Sequence, residues 1–270
     1  MFELFEKGQV EDGTIEHSIG TFHLDDMKLH LHPGLVSLHP NSGGFLVWND
    51  AWGVLNGSKV DVAMNPWQSA LTTVYQGGFP DFPYAHENML AWVDLGYWPS
   101  PIRRYTVKDG VKTLVQGNNW GAVGLGIGDE RIAWIKVTGF EASLGIYESA
   151  RMAWTPRTDD PANVQIIDGP SLTDKFTGRP QIGTVGDYIV VTISGHGGTG
   201  LPSATYVLQV STGKLWYIEA PKNTYVTLAA LGTKEILVMT TSFKINPNFF
   251  ENYIRYDLSK LDQLGQLVAP

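Results

Sequence analysis

Five of the seven histidines lie between residues 17 and 39: His17, His23, His30, His32 and His39. His30 and His32 are separated by one residue, so on a β-strand both leave the same face, as two ligands of one metal ion would. Imidazole nitrogens suit zinc, copper, iron or nickel, and His39 or His86 could bring a third from an inner strand. The same pair also reads as the polar side of an exposed edge strand, because local spacing fixes no third ligand. The expectation is no cofactor, with a divalent metal at His30, His32 and His39 as the alternative. Cysteine is absent, which removes disulfides, thiolate catalysis and Cys-ligated zinc.

Aromatic rings offer a second chemistry. Of nine tryptophans, Trp48, Trp92 and Trp134 each close a short apolar segment and are expected in the core. Trp52, Trp67, Trp98 and Trp120 fall in loops or at strand ends. There an indole either stacks on a sugar ring, anchors a partner surface, or packs between layers. These four, with His86 and His196, are the candidate ligand-binding residues. His196 sits in Gly195-His196-Gly197-Gly198-Thr199-Gly200, a Gly-rich connection without the GK[ST] of a phosphate-binding loop, so nucleotide binding is not expected. No Gly-x-Ser-x-Gly occurs, and no Ser/His/Asp arrangement stands out.

What must position these residues is an all-β chain. Apolar residues make up 43% and charged residues 17%, enough to bury a large core and to exclude global disorder. Thirty Gly and fifteen Pro favour many short strands joined by tight turns. The formal charge is −8 and no basic cluster exceeds Arg103-Arg104, which argues against nucleic acid and anionic membrane surfaces. No apolar run reaches eighteen residues, so no membrane insertion is expected. Met1–Lys7 lack the charged-then-apolar pattern of a signal peptide. That leaves an intracellular protein or a chain that follows a removed leader.

A short apolar strand recurs as Phe45-Leu46-Val47-Trp48, Met89-Leu90-Ala91-Trp92, Ile132-Ala133-Trp134, Ile189-Val190-Val191 and Ile236-Leu237-Val238. Anchored at Leu46, Leu90, Ile132, Ile189 and Ile236, the spacings are 44, 42, 57 and 47 residues. A tyrosine-bearing strand follows four of the anchors (Tyr105, Tyr147, Tyr206, Tyr253). A further strand then recurs at Thr73–Gly77, Thr113–Gly117, Gln165–Gly169 and Trp216–Glu219, with Gln266-Leu267-Val268 as its fifth copy. A strand of small residues precedes the anchor, clearest in Ala122–Ile127 and Tyr225–Ala230. Four strands per repeat predict a β-propeller of four-stranded antiparallel blades, five of them, or six if the N-terminus supplies one. Residues 34–270 form the propeller in this reading. Residues 1–33 are an N-terminal extension, ring-closing strands or most of a sixth blade, and the chain could also be part of a larger ring.

From Trp120 onward the sequence resembles bacterial, largely extracytoplasmic β-propeller proteins with no assigned activity. The likeness is carried by Gly128-Asp-Glu-Arg-Ile-Ala-Trp-Ile, Thr158-Asp-Asp-Pro-Ala and Tyr206-Val-Leu-Gln-Val-Ser-Thr-Gly-Lys-Leu-Trp. It implies the fold and an extracytoplasmic location. Trp48-Asn49-Asp50, with Gly53–Gly57 and Asn65-Pro66, is similar to the nucleophile segment of five-bladed fructan and sucrose hydrolases, a likeness that would make Asp50 the nucleophile. Ala51 stands where that family carries Pro, and neither Arg-Asp-Pro nor Glu-Cys occurs, so no second carboxylate is assigned. Asn56-Gly57 reads equally as a hairpin turn.

The function these readings lead to is a non-enzymatic binding module, whose ligand is a glycan or a protein partner met by loop aromatics and carboxylates on one face. A carbohydrate-active enzyme using Asp50 is one alternative. A structural component of a larger assembly is the other. The oligomeric state is left open.

Overall fold

Runs such as Met89-Leu90-Ala91-Trp92 carry no polar side, so they suit strands buried on both faces. The computed structural model describes residues 2–5, 17–23, 28–32, 45–48, 51–56, 58–63, 72–86, 89–141, 146–173, 180–194, 203–222, 224–242 and 251–269. Within them six antiparallel sheets follow one another along the chain. The first holds β1 (Phe2–Phe5), β2 (His17–His23) and β3 (Lys28–His32). The second holds β4 (Phe45–Trp48), β5 (Ala51–Asn56), β6 (Lys59–Ala63) and β7 (Thr72–Gln76). In the third are β8 (Pro80–His86), β9 (Met89–Asp94), β10 (Ile102–Thr106) and β11 (Gly110–Val115). The fourth comprises β12 (Gly121–Ile127), β13 (Arg131–Glu141), β14 (Ile146–Pro156) and β15 (Ile167–Thr173).

The fifth sheet contains β16 (Gln181–Val185), β17 (Tyr188–Ile193), β18 (Ala204–Gln209) and β19 (Leu215–Glu219). In the sixth are β20 (Thr224–Leu231), β21 (Glu235–Ser242) and β22 (Glu251–Asp257). A short helix α1 (Leu261–Leu264) then leads to β23 (Gln266–Ala269). The first strands of successive sheets are neighbours: β4 meets β8, β8 meets β12, β12 meets β16, and β16 meets β20. Sheets stacked side by side through their innermost strands make a β-propeller. Among the described residues no helix is long and apolar enough to cross a membrane.

The period-2 alternation of the second strands explains why they are apolar throughout. On β9, Met89, Ala91 and Val93 join the core shared with the fourth sheet, whereas Leu90 and Trp92 meet Val60 and Val62 of the second sheet. On β13, Ile132 and Trp134 face the third sheet, while Ala133, Ile135 and Val137 pack with Ile182, Ile189 and Val191. Val190 turns the other way, towards Val226, Ile236 and Val238. Each such strand therefore serves two cores, and each fully buried Val, Leu or Ile contributes about 1.5–3 kcal/mol. Innermost strands crowd instead. A Cβ at Gly126 would lie 2.6 Å from the Ile182 carbonyl oxygen, so β12 reaches β16 only because that residue is glycine.

Two positions in the repeat differ from the sequence reading. Leu46 lies on β4, a first strand, whereas Leu90, Ile132, Ile189 and Ile236 lie on second strands. Trp48 accordingly does not share the blade position of Trp92 and Trp134. Gln266-Leu267-Val268 does not complete the last sheet: β23 pairs with β19, Trp216 opposite Leu267, and becomes the outermost strand of the fifth. Helix α1 redirects the chain there, Leu261 and Leu258 sinking into the core with Trp216 while the Trp216 indole N–H donates to Asp262 at 2.9 Å. Strands β5 and β6 pair antiparallel with Asn56 opposite Lys59.

Candidate functional site

Two turns built from the same residue types meet at one end of the third sheet. Gly77-Gly78-Phe79 links β7 to β8, and Leu95-Gly96-Tyr97-Trp98-Pro99 leaves β9. The amide of Leu95 donates to the Phe79 carbonyl at 2.8 Å, which ties them together. Gly78 has φ +55°, and a Cβ there would approach Asp94 Cγ and Tyr97 Cε2 to 2.7 Å. At Gly96 a Cβ would come within 2.5 Å of the Phe79 nitrogen. Both glycines are therefore required by close approach, and Gly78 by its left-handed backbone as well.

Beneath the turns lies Asp94, the last residue of β9 and 0% exposed. Its carboxylate accepts from the Tyr75 hydroxyl, from the Phe79 amide at 2.9 Å and from Arg103 Nε at 2.8 Å. Arg103 Nη1 donates to Thr113 Oγ1 at 3.0 Å. The guanidinium carbon sits 5.1 Å from the Tyr75 ring centre and 5.5 Å from that of Tyr97, a cation flanked by two π faces. A buried carboxylate with three donors is well satisfied and holds both turns in one geometry.

The product is an aromatic platform. Phe79, Tyr97 and Trp98 stay 38%, 48% and 48% exposed although their backbones are fixed. Trp98 stacks on Tyr147 of the fourth sheet, ring centres 6.2 Å apart and planes 24° from parallel. Its ring also overlies Gly121, where a Cβ would meet Trp98 Cζ3 at 2.9 Å. Gln116 Nε2 donates to the Pro99 carbonyl at 3.4 Å, bringing the β11–β12 connection alongside.

Burial, and next the hydrogen bond to Asp94, raise the Tyr75 phenol above its ordinary value of 10.0, so it remains a donor. Burial also pushes Tyr206 up to about 12, helped by Tyr217. These groups hold their protons in the folded state at pH values where the unfolded chain has lost them. Their stabilising share is complete below about pH 10 and is lost as pH climbs through the folded values. The urea midpoint is thus expected to fall between about pH 10 and pH 12, read by tryptophan fluorescence; a level or rising midpoint would contradict it.

A concavity of about 830 Å³ opens among the innermost strands. β8 contributes Asp81, Phe82 and Tyr84; β12 and its turn contribute Leu125, Asp129 and Glu130; β16 and β20 complete the wall. Phe82 takes φ +49° inside a bulge of β8, and its amide donates to Asp81 Oδ1 at 2.8 Å. Glu130 is engaged by Arg131 Nη2 at 3.2 Å.

Of the residues singled out from the sequence, Trp98 stands on the platform. Trp120 is only 9% exposed, stacked on Trp134 at 6.4 Å with Lys136 Nζ 4.9 Å from its ring, and so belongs to the core. Trp52 is near the start of β5, a second strand; His30 and His32 are on β3; His86 ends β8, an innermost strand. Asp50, His39, Trp67 and His196 lie outside the described residues. Among the described residues no three His, Asp or Glu side chains are grouped to hold a metal ion. Sequence reasoning missed Phe79, Tyr97, Asp94 and Arg103. The signal was present as Gly-Gly-Phe-Pro and Gly-Tyr-Trp-Pro, two Gly–aromatic–Pro turns 18 or 19 residues apart.

No protein-family model matches the sequence, and no curated protein matches it. Solved structures do. A structure designated TolB from Agrobacterium tumefaciens aligns at TM-score 0.52 and 10% identity over 95% of this chain and 90% of that one. The tricorn protease aligns at TM-score 0.50 and 12% identity over 90% of this chain, which spans 25% of the protease. A GH43 β-1,3-galactosidase aligns at TM-score 0.42 and 10% identity over 82% of this chain and 60% of that one. The first two support the propeller fold, and at these identities the likeness concerns fold alone.

Proposed function

We propose that the protein is a non-enzymatic binding module, and that Phe79, Tyr97 and Trp98 form its recognition surface for a glycan or a protein partner. The observation that carries this reading is the three aromatic side chains kept partly exposed in two turns whose backbones a buried carboxylate locks. Leaving large apolar rings in water is unfavourable unless they meet a ligand, and fixing them beforehand lowers the entropy lost on binding. Tyr, Trp and Arg are also the residue types that dominate binding hot spots.

The test is a binding screen on immobilised glycans and on displayed peptides, with and without EDTA. Trp98→Ala is expected to weaken every hit at least about tenfold. Tyr253→Ala, which removes a ring 58% exposed on the sixth sheet, should leave the hits unchanged. Hits indifferent to Trp98→Ala would place recognition elsewhere. Loss with EDTA would favour the alternative of a divalent metal at His30, His32 and His39 and give it a part in binding.

A further inference from the structure

Resting on the reading of the platform as a binding surface, we infer that its ligand is a neutral pyranoside glycan, stacked on Trp98 and Tyr97 with hydroxyls taken by Arg103 and the surrounding amides. Three features of the site lead there. Exposed amide side chains lie on the connections beside the rings: Gln76 precedes Gly77, Gln116 reaches the Pro99 carbonyl, and Asn118 and Asn119 lead to Gly121, which Trp98 overlies. Primary amides donate and accept at once, which matches sugar hydroxyls; a protein hot spot is instead sealed by surrounding contacts that exclude water. Trp98 is set as a flat face, backed by Tyr147 and Gly121, and the apolar C–H face of a pyranose stacks on such a ring.

Arg103 supplies the polar anchor and decides the charge of the ligand. Nε and Nη1 are committed to Asp94 and Thr113, while the side chain is 21% exposed between Tyr75 and Tyr97. Among the described residues Nη2 has no acceptor, and it can donate to a neighbouring hydroxyl. Because Asp94 already neutralises this cation, the pair has no net charge with which to select a carboxylate or sulfate, and the sugar it fits is uncharged.

The experiment titrates the intact protein, by calorimetry and tryptophan fluorescence, with cellohexaose, laminarihexaose and maltohexaose as neutral probes and trigalacturonic acid as the charged one. At least one neutral probe is expected to bind. Its affinity should be insensitive to NaCl between about 50 and 500 mM, and to fall at least about tenfold in Trp98→Ala and in Arg103→Lys. Circular dichroism and the urea midpoint confirm that each variant is folded, and Trp98→Phe, which keeps a ring, should recover most of the affinity. Tighter, salt-sensitive binding of trigalacturonic acid overturns the neutral assignment. If no glycan binds but displayed peptides bind in a Trp98-dependent way, the glycan class is wrong and the binding-module reading stands. Trp98-independent results in both arms overturn both.

Discussion

Asp94→Ala is expected to lower stability by about 3 kcal/mol and to release the platform. The carboxylate is fully buried and satisfies three donors, so its removal leaves the Phe79 amide without an acceptor and Arg103 without a counter-charge between two tyrosines. Arg103 retains 21% exposure, so water recovers part of its solvation; the effect should sit at the lower edge of the range for broken buried pairs, about 3–5 kcal/mol. Asp94→Asn keeps an acceptor for Phe79 and should lose less. The informative variant is Asp94→Leu with Arg103→Met. Removing both charges together leaves neither stranded, so the double variant should be more stable than Asp94→Leu alone. Urea unfolding measures all four. A loss below about 1 kcal/mol in Asp94→Ala would mean that the turns hold without the carboxylate.

Trp134→Ala should be the most damaging single change in the core, at about 3–5 kcal/mol. The side chain is 1% exposed, stacks on Trp120 with planes 13° from parallel, and packs among Met89, Ile127 and Ile132 between the third and fourth sheets. Truncation opens a cavity that strands cannot collapse into, because β13 is paired on both sides over its length. The indole N–H has no hydrogen-bond partner among the described residues. Trp134→Phe therefore sacrifices volume but no polar contact, and it should recover most of the loss. Equal urea midpoints for the two variants would refute the volume argument. Trp120 should report the change directly, since its fluorescence environment depends on the ring it stacks on.

The same two sites show how much could be read without tertiary structure. Trp92 and Trp134 were legible as core residues because a strand buried on both faces must be apolar at every position. The recurrence of such strands every 42 to 57 residues then implied sheets stacked side by side. Leu46 illustrates the limit. Phe45–Trp48 has the composition of the second strands yet occupies a first strand, and a four-residue apolar run looks alike in either place. β23 repeats the lesson at the other end: its sequence suits an outer strand, but which sheet it joins depends on where α1 turns the chain.

The platform lies further beyond sequence reasoning. Glycine, aromatic and proline types announce turns at Gly77–Pro80 and Gly96–Pro99, and Trp98 announces a ring near the surface. Nothing local brings Tyr75, Phe79, Asp94, Tyr97 and Arg103 together, since they come from three strands and two connections. An aspartate after five buried residues reads as the polar end of a strand, until hairpin pairing sets Ile102 against Val93 and folds Arg103 back over it. Composition, periodicity and turn chemistry determined an all-β propeller and its core, because those properties are local and repeat. Tertiary structure alone decided which aromatic rings are buried and which are displayed, because that depends on where one sheet's turns fall against its neighbours.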